Sequence, residues 1–193
     1  MPEFVAARDS GAHGSWNMSR VPLCIADGVE IGQGKAIARY IAKSHALMGS
    51  SLVEEAQIDT ICEHVAEMGD AYKKLSTDEE KAAWFTTLPE PAAGAGARDK
   101  SHRQLRWYLG HLENCVGEGG NAIGGAPSLA DAAIYSKLGE TADECGDRGK
   151  IMGNTDSARN ALEGFPKLVA IVAAFGSSAG MQKWLATRGP QGF

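Results

Sequence analysis

Thiols, imidazoles and carboxylates are the groups through which this chain could do chemistry, and their spacing comes first. Cys24, Cys62, Cys115 and Cys145 are widely spread, with no C-x-x-C pair. Zinc sites draw on close ligand pairs, because two neighbours on one turn already fix half a tetrahedron. Cys62-x-His64 is the nearest approach, and residues two apart on a helix point in different directions. The spacing therefore predicts thiols of a reducing compartment and no metal centre. His13, His45, His64, His102 and His111 form no local constellation with a nucleophile. Asp131, in Pro127-Ser128-Leu129-Ala130-Asp131, has the spacing of a helix-capping carboxylate, so it reads as structural. Asn17-Met18-Ser19 matches a glycosylation acceptor, but no secretory leader accompanies it.

The elements that must position these groups change character along the chain. Phe4-Val5-Ala6-Ala7 reads as a short strand, followed by a loop over 10–15 and Trp16 as an apolar anchor. Val21–Ala26 and Val29–Ile31 flank Asp27-Gly28, the signature of a two-residue type I′ hairpin turn, with Pro22 opening the first strand. Everything after the hairpin reads as helix. Ala36, Ile37, Tyr40 and Ile41 form an inward stripe opposite Lys35, Arg39 and Lys43. Ile58, Ile61, Cys62, Val65, Met68, Tyr72 and Leu75 make a longer stripe. A short helix is predicted over 77–85, a loop over 89–96, and further helices around Leu105–Val116 and Leu129–Leu138. Phe165–Phe175 forms another helix, started by Pro166, and Met181, Trp184 and Leu185 mark a final helical turn.

This order gives an α+β chain, mainly α: residues 1–46 as a small β-hairpin-and-helix unit, residues 52–193 as an all-helical domain, and Gly49-Ser50-Ser51 as the linker. The bulk numbers agree. A chain of 193 residues, 44% hydrophobic, buries roughly 70% of its unfolded surface and needs no disulfide staples. Nineteen basic against 24 acidic residues leave a net charge of −5, without the basic footprint that nucleic-acid binding needs. No apolar run reaches the roughly 20 residues of a membrane span, and Glu3, Arg8 and Asp9 interrupt any signal-peptide core. The reading is a cytoplasmic protein, with an organellar one as the alternative.

Val21-Pro22, the Asp-Gly hairpin, Gln33-Gly34-Lys35-Ala36-Ile37-Ala38-Arg39-Tyr40-Ile41-Ala42 and Glu55-Ala56-Gln57-Ile58-Asp59 resemble the cytosolic glutathione S-transferase family, most nearly its sigma-like, prostaglandin D synthase-like branch. Ser128–Asp131 is similar to that family's buried capping box, and Phe165-Pro166-Lys167-Leu168 to its penultimate helix. The resemblance implies a thioredoxin-like first domain, an all-helical second domain, a homodimer and glutathione as substrate or ligand. It implies that Val21, with Pro22 cis, presents its backbone to the cysteinyl amide, and that Gln33 holds the γ-glutamyl end. It also implies that Trp16 lies near the glycyl end, and that the backbone at Gly34 receives the γ-glutamyl carboxylate. The family usually has serine at this last position, so one hydroxyl donor is lost. The neighbouring subunit contributes an acidic residue, which alignment places at Glu67, with Asp70 as the alternative.

The resemblance also carries a departure. The family begins strand, helix, strand, with a catalytic Tyr or Ser after the first strand. Here Phe4–Arg8 reads as the second strand, so the first strand, the first helix and the catalytic hydroxyl are expected to be absent and the first domain truncated. No tyrosine precedes Tyr40, and the catalytic residue is left unassigned. Two functions follow. One is a glutathione S-transferase-like protein that binds glutathione but poorly activates its thiol toward a small electrophile. The other is a pseudoenzyme, held as an accessory subunit in a larger assembly that covers the truncated sheet.

Overall fold

The computed structural model describes residues 2–11, 20–86, 103–139 and 160–188. The chain divides into two compact units, Met1–Met48 and Gly49–Phe193.

The first unit opens with α1 (Pro2–Asp9), where a strand was expected. The reason is local. Pro2 and Glu3 suit a helix start, Ala6 and Ala7 are strong helix formers, and the Ser10 N–H bonds back to the Ala6 carbonyl at 3.0 Å. The described residues offer no strand for this segment to pair with, because the sheet has two strands only. Those are β1 (Leu23–Ala26) and β2 (Val29–Gly32), antiparallel with Ala26 opposite Val29 and Leu23 opposite Gly32. Asp27 at φ 52° and Gly28 at φ 79° are both left-handed, as a type I′ turn requires.

α2 (Gly34–Ser44) packs on both strands. Its inward face differs from the expected stripe. Tyr40 and Ile41 are 39% and 47% exposed, while Ala42 is buried and Ala38 half-buried one turn before it. The period was right and the phase was off by one row. Two adjacent rows of this helix are apolar, and the row with small side chains allows the closer approach to the sheet.

The second unit holds α3 (Leu52–Lys73), α4 (Asp78–Thr86), α5 (Leu105–Cys115), α6 (Leu129–Leu138), α7 (Pro166–Ser177) and α8 (Ala179–Thr187). α6 lies between α3 and α7, α5 packs on α3, α4 and α7, and α8 packs on α7. The predicted stripe of α3 is buried at Ile58, Ile61, Val65, Met68 and Tyr72, against a core that includes Leu105, Leu109, Leu112, Ile134 and Leu168. Trp84 is fully buried, with Tyr72 and Tyr108 each 5.8 Å from its ring centre.

The starts of α3, α4 and α6 share one device, a hydroxyl with a carboxylate three residues on. Ser51 accepts from the Glu54 N–H, while the Glu54 carboxylate takes the Ser50 N–H and hydroxyl at 2.6 and 2.7 Å. The Ser50 hydroxyl bond is the main cause that holds the Glu54 carboxyl below its ordinary range. Gly49, at φ 76°, is forced here, because a Cβ would sit 2.6 Å from the Cβ of Glu54. Thr77 and Glu80 repeat the arrangement at α4.

The start of α7 uses a different partner. Glu113 on α5 accepts the backbone N–H groups of Lys167 and Leu168 at 2.9 and 3.1 Å, so its carboxylate caps a helix more than fifty residues away. Glu113→Ala is expected to lower stability by about 2 kcal/mol, by leaving two half-buried donors without an acceptor. Urea unfolding measures this, and Glu113→Gln should recover part of the loss.

Candidate functional site

The expected glutathione-binding residues fall on both units. In the first, the Val21–Pro22 peptide bond is cis, and it lies just before the β ladder begins at Leu23. Val21 is exposed. The Pro22 ring reaches the start of α2, where its Cγ is 3.7 Å from the place a Cβ on Gly34 would occupy. The proline loop and the first turn of α2 therefore adjoin.

Gln33 is the residue that turns the chain from β2 into α2, at φ 68° and ψ 118°. A non-glycine residue there costs of order 1–3 kcal/mol, and such positions cluster at ligand clamps. Its side chain makes no capping bond to the helix. The first turn of α2 carries no acidic residue and contains Lys35, so no side-chain carboxylate of its own offsets the positive end of the helix dipole. N–H groups at a helix start whose first turn carries no acidic side chain suit a carboxylate or phosphate.

Glu67 belongs to the second unit, on an exposed turn of α3, where its carboxylate pairs with Arg103 at 3.5 Å. Arg103 is a residue that the sequence reading passed over. Its guanidinium also lies 4.5 Å from the centre of the Trp107 ring, and the closeness of 103 and 107 in sequence was the available signal. Asp70, the alternative, pairs locally with Lys73 at 3.2 Å. Trp16 lies outside the described residues, as do His13, His102, Cys145 and the Asn17 acceptor.

Cys24, half-buried in β1 opposite Ile31, carries a thiol, as do Cys62 and Cys115. Among the described residues no three His, Cys, Asp or Glu side chains gather where a metal ion could sit. None of the described helices is by itself long and apolar enough to cross a membrane. Asp131 is 1% exposed and spends both carboxylate oxygens on backbone and hydroxyl donors, which bears out its structural reading.

No protein-family model matches the sequence. Curated relatives do. A putative glutathione S-transferase alpha-2 of Dictyostelium discoideum is 27% identical over 156 residues, which cover 81% of this chain and 65% of that protein. Glutathione S-transferase A1 of Bos taurus is 35% identical over 129 residues, covering 65% of this chain and 53% of it. The chain thus spans between about half and two thirds of the length of these relatives. Among solved structures, the Pi-class glutathione S-transferase of Onchocerca volvulus matches 97% of this chain and 77% of its own, with a TM-score of 0.68 at 20% identity. The chain has the glutathione S-transferase fold, and the curated proteins it is similar to are glutathione S-transferases.

Proposed function

We propose that this chain binds glutathione at the junction of the Val21–Pro22 loop and the start of α2, and activates the bound thiol weakly. The observation that carries this reading is the contact of Pro22 with the Gly34 turn, beside a helix start with no acidic side chain in its first turn. Val21 takes the cysteinyl amide through its backbone. Gln33 and the N–H groups from Gly34 onward take the γ-glutamyl carboxylate. Trp16 serves the glycyl end, and Glu67 comes from a second copy of the chain in a homodimer.

We infer weak activation from the hydroxyls of the first unit, of which Ser15 and Ser19 lie outside the described residues. Among its described residues these are Ser10, at the end of α1, and Tyr40 and Ser44 on α2. Ser44 donates to the Tyr40 carbonyl at 2.9 Å. None of the three lies beside Val21 in the sequence or at the end of a strand, where it would stabilise a thiolate. The sigma-like assignment rests on Val21-Pro22, the Asp-Gly hairpin, Gln33–Ala42 and Glu55–Asp59 together, and we take 1–46 and 52–193 as the domain limits and the cytoplasm as the compartment.

A second reading, an accessory subunit of a larger assembly, is favoured by the hairpin, where Ile25 and Val29 are 68% and 60% exposed. Retention on immobilised glutathione, elution by the free tripeptide and turnover with a small aryl halide test both. Retention with slow turnover is the expected result. Brisk turnover overturns the weak-activation claim, and failure to bind, with co-purification of a stoichiometric partner, supports the accessory reading.

A further inference from the structure

The contact between α3 and α5 includes an imidazole. His64 on α3 is half-buried there, with the rings of Tyr108, Trp107 and His111 on α5 centred 5.3, 6.1 and 6.2 Å from its own. His111 stacks edge-on to Trp107 at 4.2 Å, and Arg103 covers a face of Trp107. Nε2 of His64 is 3.1 Å from the Tyr108 carbonyl oxygen. A carbonyl only accepts, so Nε2 carries the proton and the neutral ring holds none on Nδ1.

We propose that this seam is an acid-sensitive joint, in which proton uptake by His64 loosens α5 from α3 within the helical unit. The charges that face the ring act in both directions. From α5 and the residues leading into it come His111 and Arg103, both of which oppose a positive charge on His64. From its own helix comes Glu67, which favours that charge but is already paired with Arg103. From α6, Lys137 lies against Gly69 of α3, and Asp131 is committed to Ala122 and Ser128. Burial is the largest influence and pushes the His64 imidazole below its ordinary value of 6.5; the bond to the Tyr108 carbonyl opposes this, and His111 and Arg103 reinforce it.

The sign follows from linkage. The unfolded chain takes up a proton at the ordinary value and the folded chain resists it. The stabilisation is therefore complete above about pH 6.5 and is lost as pH falls through that value toward the lowered one. The other titrating groups of the chain act on the same scale, so the test is a difference between variants.

Urea unfolding of the full chain from pH 7.5 to 5.5 is compared for the wild type and His64→Gln, whose amide keeps a donor for the Tyr108 carbonyl and does not titrate. The wild type is expected to lose more stability on acidification than His64→Gln. Amide-exchange protection in Leu105–Cys115 should fall in acid in the wild type and hold in the variant. A direct NMR titration of the His64 ring keeps the proposal falsifiable should the variant fold poorly. The ring should titrate below the ordinary value, and His111→Gln should raise its midpoint. Superimposable pH profiles for the wild type and His64→Gln, or a His64 ring that titrates at or above the ordinary value, would overturn the proposal.

Discussion

Gly34→Ser is expected to tighten glutathione binding about ten- to a hundredfold, the effect of one added hydrogen bond to a charged group, worth roughly 1.5–3 kcal/mol. Two features of the structure make the substitution a clean addition. Among the described residues the new Cβ meets only the Pro22 Cγ, at 3.7 Å, which is ordinary van der Waals contact. Gly34 is also the first residue of α2 and has no left-handed backbone for a side chain to disturb. The serine hydroxyl would then join the N–H groups of the first turn in facing the carboxylate. Gly34→Ala supplies the control, since it adds the Cβ and the helix propensity without the donor. Calorimetric titration of both variants with glutathione decides the matter. A serine variant no tighter than the alanine variant would remove the γ-glutamyl carboxylate from the start of α2, and with it the main support for the binding reading.

Local patterns were read correctly from the sequence where the responsible residues lie within a few positions of each other. Asp27-Gly28 specifies its turn because both residues tolerate left-handed backbone, and the turn then fixes the register of β1 on β2. Ser128 and Asp131 specify a helix start because three residues bring a hydroxyl and a carboxylate to the same turn. The long stripe of α3 is legible because twenty-two residues average out phase errors. Phe4–Ala7 is too short for that. A four-residue apolar run has no period of its own, and alanine content with an acidic first turn decided for a helix.

Features that depend on distant partners were not legible. Glu113 and the α7 start are brought together only by the packing of α5 on α7. The pairing of Glu67 with Arg103 likewise depends on α3 meeting the residues that lead into α5. The binding site lies between these cases. Val21-Pro22 and Gln33 stood out only through a family resemblance, since glutamine is not a residue type that announces positive φ. The contact of Pro22 with the Gly34 turn is tertiary, between residues twelve apart in sequence.

Asp131→Ala is expected to cost about 3–5 kcal/mol, the largest loss of stability from any substitution considered. Its Oδ1 accepts the Ala122 N–H at 2.7 Å, and its Oδ2 accepts the Ser128 N–H and hydroxyl at 2.8 and 2.6 Å, all in buried surroundings. Truncation leaves two buried backbone donors without acceptors, at roughly 1–3 kcal/mol each, and opens a small cavity as well. It also frees the start of α6, the helix that α3 and α7 both pack against, so the damage reaches the centre of the helical unit. Against a typical total of about 5–15 kcal/mol, this is a large fraction. For a urea dependence near 2 kcal/mol per molar, the midpoint falls by about 2 M. Asp131→Asn separates charge from geometry. One oxygen still accepts, but the amide must turn an N–H group toward a backbone donor, so its loss should be smaller than alanine's and still above 1 kcal/mol. If both variants unfold at the wild-type midpoint, the carboxylate is not what holds the start of α6, and the bond from Ala122 across the turn contributes nothing measurable to the unit's stability.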